Sequence, residues 1–273
     1  MPEDLQPIAL PPYRVWKRGG ARPVLALHCS LAHSGAWTGL AEGLSGVTLT
    51  ATDQIGHGRA PDWDGVADLH GDVTRASVAM AESLGDGAPI DLMGHSFGGT
   101  VALRIALERP DLVRSLTLVE PVIFAAAKSV GDPAFAPFHA DHLGFADLVR
   151  KGSRPAAAAM FHGVWGTGGQ FAELPAKTQS YMLDRIHFIV AQNPVLLDDA
   201  AGLLRYMGLE SLGIPTFLID GALSPPIINA VQSELMRRLP MATRLTVPGA
   251  GHMVSITHAG VVAPKVQAHL DRC

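Results

Sequence analysis

Short, mostly apolar runs recur along the chain, and each stops at glycine or at a cluster of turn residues. Val24 to Leu27, Val47 to Ala51, Ile90 to Met93, Val113 to Val119, Pro215 to Ile219 and Thr243 to Val247 have the length and β-branched content of strands. A run such as Val24 to Leu27, apolar throughout, suits a strand buried on both faces of a parallel sheet. Tyr13 to Arg18 alternates instead and reads as a strand closed by Gly19-Gly20. Between these runs, helical spacing appears at 37–44, at 69–84 before Gly85, after Gly98-Gly99, at 231–239, and at 260–270 despite Pro264. Strands alternating with helices through both ends of the chain predict an α/β fold: a mostly parallel central sheet with helices on both faces.

The rhythm lapses between Val122 and Gly213. Helices are expected at 143–151, 154–163, 175–190 and 196–207, joined by Gly- and Pro-containing loops such as Trp165-Gly166-Thr167-Gly168-Gly169, with no clear strand. The expected organisation is a core domain of residues 1–121 and 214–273, with residues 122–213 inserted as a helical cap or lid. The insertion follows a strand end, the edge of an α/β sheet where ligands bind.

Composition changes this picture little. A chain of 273 residues with 48% hydrophobic and 17% charged residues can build a large core. A net charge of −4 and a pI near 6.3 give no electrostatic reason to expect nucleic acid or an anionic membrane surface as partner. Cys29 and Cys273 are too few and too distant in sequence for a disulfide framework, so both are expected as free thiols in a reducing compartment. The opening Met1 to Gln6 is acidic and lacks the order of a secretion signal. Charge-free windows such as 245–264 are broken by His, Gly, Ser and Pro, so none reads as a membrane span. A cytoplasmic location is expected.

The chemistry starts at Gly94-His95-Ser96-Phe97-Gly98, which fits G-x-S-x-G between an apolar run and a helical pattern. In that setting the serine sits at the tip of a sharp strand-to-helix turn, and the glycines are there because a Cβ would strike neighbouring backbone. The positive end of the following helix favours negative charge developing at the serine. A serine hydroxyl needs a base to take its proton. Of twelve histidines, His252 is the candidate, lying in a glycine-rich turn directly after the run Thr243 to Val247. His28, His57 and His95 also stand at strand ends but fall within other motifs.

In this order, His28-Cys29, Gly56-His57-Gly58, Gly94 to Gly98, a helical insertion and Gly249-Ala250-Gly251-His252 make the chain resemble an α/β-hydrolase across nearly its whole length. Two departures stand out. Relatives have His-Gly where this chain has His28-Cys29, and many have Gly-x-x-Asp after the strand that follows the cap, where this chain has Gly221-Ala222-Leu223-Ser224. The resemblance implies a triad acid, yet Ser224 cannot carry its charge. Glu120, at the end of the strand after the serine helix, is the first candidate, since some α/β-hydrolases take their acid from that strand; Asp220 is the rival. The resemblance also implies an oxyanion hole from the backbone N–H groups of Phe97 and Ser30.

Asp53 and Arg59 read as a surface ion pair. Trp165, Phe161, Phe135 and Phe138 are candidates to line an apolar acyl pocket or simply to pack the cap. His139-Ala140-Asp141-His142 lacks a placed third ligand, and Gly85-Asp86-Gly87 lacks the setting of a dinucleotide loop, so no metal and no cofactor are expected. The expected activity is a serine hydrolase acting through an acyl-enzyme on Ser96, with a small-to-medium carboxylic ester or lactone as its small-molecule substrate. Perhydrolysis, hydrolytic C–C cleavage, or a ligand-binding module with vestigial turnover are the alternatives. Oligomeric state is not legible.

Overall fold

The computed structural model describes residues 9–273, so the acidic opening discussed above lies outside the described residues. Six strands, β1 (Tyr13–Leu27), β2 (Val47–Thr52), β3 (Ile90–His95), β4 (Val113–Val119), β5 (Thr216–Gly221) and β6 (Ala242–Val247), form one sheet in the order β2-β1-β3-β4-β5-β6. The runs expected as two strands at 13–18 and 24–27 are two arms of β1. The chain bends at Gly19, where φ is +85°. The outer arm pairs with β2 in descending register, Tyr13 opposite Thr52 and Arg18 opposite Val47, and is therefore antiparallel to it. The inner arm, Val24 opposite Leu49 to Leu27 opposite Thr52, is parallel to β2. The other pairings are parallel.

Around the sheet lie α1 (Thr38–Glu42), α2 (Leu69–Gly85) and α3 (Phe97–Glu108), then α4 (Ala125–Ser129), α5 (Phe135–Arg150), α6 (Arg154–Trp165), α7 (Ala176–Arg185), α8 (His187–Ala191) and α9 (Asn193–Leu196). After β5 come α10 (Pro226–Arg238), α11 (Val254–Thr257) and α12 (Ala259–Leu270). The two-residue period of a strand sends alternate side chains to opposite faces. Leu25, Leu27, Leu92, Leu116 and Leu118 meet α2, α3 and α10 on one face. Val24, Ala26, Met93 and Val119 meet α1, α11 and α12 on the other. This two-sided burial is why the core strands carry so little apolar–polar alternation.

The insertion differs in detail from the expected helices. α5 starts at Phe135 rather than 143, and the helix expected at 175–190 breaks at Ile186 into α7 and α8. No helix runs over 196–207. Asp199, Gly202 and Met207 there have φ of +52°, +65° and +57°. The Asp199 carboxylate accepts the amides of Leu203 and Leu204, offering the backbone a local alternative to the helix. α10 starts at Pro226, since proline is tolerated in a first helical turn.

Within residues 122–213 the buried apolar side chains pack in two clusters. Ile123 to Ala127 and Val195 to Leu212 contribute to the main core. Phe145, Ala157, Ala158, Ile186 and Ile189 form a separate small cluster. Among the described residues, no helix is long and apolar enough to cross a membrane.

Candidate active site

Ser96 is the single residue between β3 and α3, and its backbone sits at φ +55°, ψ −118°, a region that costs a non-glycine residue on the order of 1–3 kcal/mol. The bend is held by the Ser96 amide donating to the Val119 carbonyl at 2.9 Å and by the Ser96 carbonyl accepting Gly99 N–H at 2.9 Å. The flanking glycines are steric necessities. A Cβ on Gly94 would stand 2.2 Å from the Gly98 carbonyl oxygen, and one on Gly98 would stand 2.3 Å from that of Leu27.

His252 comes from the loop between β6 and α11. Its Nε2 lies 3.0 Å from Ser96 Oγ, and its Nδ1 lies 2.5 Å from Glu120 Oε2. Ser96 and His252 are buried, and Glu120 is fully so. The second carboxylate oxygen of Glu120 accepts the Gly221 amide at 2.7 Å and the hydroxyl of Ser224. Burial alone would raise the Glu120 pKa. The bond to His252, with those from Ser224 and Gly221, outweighs it and holds the carboxyl below its usual range. The rival carboxylate, Asp220, is engaged elsewhere: Arg244 grips both its oxygens, at 2.8 and 2.9 Å. His95 donates from Nε2 to the His252 carbonyl at 2.9 Å and so fixes the backbone of the imidazole loop. Hydroxyl, imidazole and carboxylate in this sequence can pass a proton from oxygen to nitrogen while the carboxylate stabilises the imidazolium.

Two buried histidines build the loop that follows β1. His28 Nε2 accepts the Gln54 amide at 3.0 Å, so its proton is on Nδ1, donated to the Cys29 carbonyl at 2.8 Å. His57 Nε2 accepts the Leu31 amide at 3.1 Å, so Nδ1 donates to the Ile55 carbonyl at 2.9 Å. Burial lowers their pKa values to about 3 and about 4, so both stay neutral and able to accept. Leu31, at φ +60°, is the strained residue of this loop; Cys29 does not have positive φ, so a glycine is not required there. Burial pushes its thiol up to about 12, leaving it protonated and inert. Asp53 forms its expected ion pair with Arg59, Nε to Oδ2 at 3.3 Å, but from a buried position rather than the surface, and also accepts the amides of Ser34 and Arg59.

Above Ser96 and His252 opens a cavity of about 280 Å³, walled mostly by apolar side chains. Ser30 borders it, and Phe97 begins α3, so its amide has no carbonyl one helical turn back. Phe138, Phe161 and Trp165 line the cavity. Phe135 packs behind, 6.5 Å from the Phe138 ring and stacked on His139 at 5.3 Å. Trp165 presents an edge-on contact to His252 with ring centroids 4.8 Å apart. His142 is bonded through Nε2 to Asn193 Oδ1 at 2.8 Å. Tyr181, on α7, accepts the Gly58 amide and donates to the Ala32 carbonyl at 2.8 Å, tying the insertion to the loops beneath it. Gln192, on the cavity wall, carries no signal in the sequence, while Ser224 and His95 stand out there without any sign that one bonds the carboxylate and the other the imidazole loop.

A family model described as alpha/beta hydrolase fold matches residues 22–259. A lipase, LipV, of Mycobacterium tuberculosis is 28% identical over 263 residues, 92% of this chain and 94% of the lipase. Human monoglyceride lipase is 34% identical over a shorter stretch, 42% of this chain and 41% of that protein. Among solved structures, an esterase from Exiguobacterium antarcticum superposes with a TM-score of 0.74 over 95% of both chains at 17% identity, a likeness of fold.

Proposed function

The chain belongs to the α/β-hydrolase fold family, and from that premise we propose that it is a cofactor-independent serine hydrolase of small-to-medium carboxylic esters, with lactones as the cyclic members of the same class. Ser96 Oγ attacks the ester carbonyl carbon as His252 Nε2 takes its proton. The amides of Phe97 and Ser30 hold the oxyanion of the tetrahedral intermediate. His252 then returns the proton to the leaving alkoxide, the alcohol departs, and an acyl-enzyme remains on Ser96. Water, deprotonated by His252, attacks that ester, and as the acyl–oxygen bond breaks His252 returns the proton to Ser96 Oγ and the acid departs. Glu120 keeps the His252 proton on Nδ1 between steps and stabilises the imidazolium.

The single observation that carries this reading is the unbroken hydrogen-bonded line from Ser96 through His252 to Glu120 at the floor of an apolar cavity. The relatives named as a lipase and a monoglyceride lipase support an ester substrate. In this reading the helices of the insertion act as a cap, forming the wall for the apolar part of the substrate and excluding water from the acyl-enzyme.

The test is turnover of p-nitrophenyl butyrate together with fluorophosphonate labelling. Wild type should turn over and label at Ser96, while Ser96→Ala should fall by about 10⁶ in kcat, as loss of the serine does in a comparable triad, and should not label. Equal rates in the two proteins would end the proposal.

A further inference from the structure

Three polar side chains on the cavity wall, Asp141, His142 and Gln192, take no part in the reaction as written, and of these only Gln192 is buried. Gln192, between α8 and α9, is 2% exposed and borders the same cavity as Ser96 and His252. Its Oε1 accepts the hydroxyl of Ser30 at 2.9 Å. Its Nε2 is buried with no hydrogen-bond partner. A buried donor left unpaired costs on the order of 1–3 kcal/mol, so such groups are retained where something comes to meet them. The surroundings define what can do so. The neighbouring wall is apolar, with Ile189, Leu196 and Phe138 close by, and His142, the nearby imidazole, is already engaged with Asn193. The amide offers two N–H donors and no charge, which suits a neutral acceptor oxygen.

We propose that Gln192 is a specificity-determining residue: its side-chain amide donates a hydrogen bond to a second, neutral oxygen of the substrate, so that the preferred esters carry a keto or ether oxygen beside the scissile group. This rests on Ser96 being the nucleophile of an ester hydrolase. The Ser30 tether fixes the amide from the oxygen side, so the free donor keeps one orientation and reads one position. A site built to bond an oxygen discriminates against the analogue lacking it, because the donor is then left unpaired.

The experiment compares four esters with wild type, Gln192→Leu and Ser30→Ala. Methyl 3-oxohexanoate is set against methyl hexanoate, and 2-methoxyethyl hexanoate against butyl hexanoate. The first pair places the added oxygen on the acyl side, the second on the alcohol side, and both oxygens only accept. In Gln192→Leu, kcat/KM for the oxygenated member of one pair should fall roughly three- to tenfold further than for its partner, chiefly through KM. Which pair responds identifies the side of the ester that Gln192 reads. Ser30→Ala keeps the donor but releases its tether, so it should move the ratio of the responding pair in the same direction as Gln192→Leu, by a smaller factor. Each ratio is taken within one protein, so partial loss of folded enzyme does not affect it. Unchanged ratios in both pairs would overturn the assignment while leaving the esterase reading intact; only retention of activity in Ser96→Ala would remove that reading itself.

Discussion

The acid is where this chain departs most from the pattern it resembles, and the departure is resolved one side chain at a time. Ser224 stands where many relatives carry aspartate, yet its hydroxyl donates to Glu120, the carboxylate that bonds His252 from a neighbouring strand. Asp220 is saturated by Arg244 and Thr246. Glu120→Gln keeps the volume but can present an N–H to Nδ1, which turns the imidazole to the wrong tautomer. Its kcat should therefore fall by on the order of 10²–10⁴ with KM little changed. Ser224→Ala removes one bond to the ionised carboxylate and should cost kcat about tenfold. Asp220→Asn should lower the denaturation midpoint and spare kcat. Steady-state kinetics with urea melts on the three variants check this, and a crippled Asp220→Asn beside an active Glu120→Gln would reverse the assignment.

At the level of elements, the strands and the serine bend are legible because their causes are local. Apolar runs mark strands covered on both faces, and two glycines mark a turn where a Cβ would overlap backbone by more than an ångström. Gly98→Ala should accordingly destabilise the fold by on the order of 3–5 kcal/mol, read as a shift in urea midpoint, because the clash is with the Leu27 carbonyl rather than a side chain that could move. The insertion is less legible. The break at Ile186 and the turns through Asp199 to Met207 depend on tertiary contacts and on side-chain capping that periodicity does not report. Nor does any pattern single out Trp165, whose expected role in lining or packing is decided only by where α6 ends. Its edge-on contact with His252 makes it both wall and support. Trp165→Ala should raise KM for hexanoate and octanoate esters more than for acetate, as the longer chains lose the wall. A uniform change along the chain-length series would mean that it only packs.

At the scale of the whole molecule, several histidines are buried and held neutral, two of them, His28 and His57, as acceptors of backbone amides, and this sets a response to acid. Burial lowers His28 and His95 to about 3 and His57 and His70 to about 4. In the unfolded chain each titrates near 6.5. Between about pH 6.5 and pH 4 the unfolded state therefore binds protons that the folded state refuses, and stability must fall as pH falls. The contribution is complete above about pH 6.5 and drains on acidification, by up to about 1.4 kcal/mol per pH unit for each histidine. Glu120, whose folded pKa is lowered, acts in the same direction, but its contribution begins to drain only near the unfolded value of about 4.3. The window from pH 6.5 to 5 thus isolates the imidazoles. Urea midpoints should be level above about pH 7 and decline steadily as pH falls across that window. His70→Asn, which removes a titrating group remote from Ser96 in the sequence and bonded to Thr100, should make the decline shallower by about one proton's worth. A midpoint that stays level from pH 6.5 to 5 would mean these rings accept protons in the folded state, and the neutral acceptors holding the Gln54 and Leu31 amides would have to be reassigned.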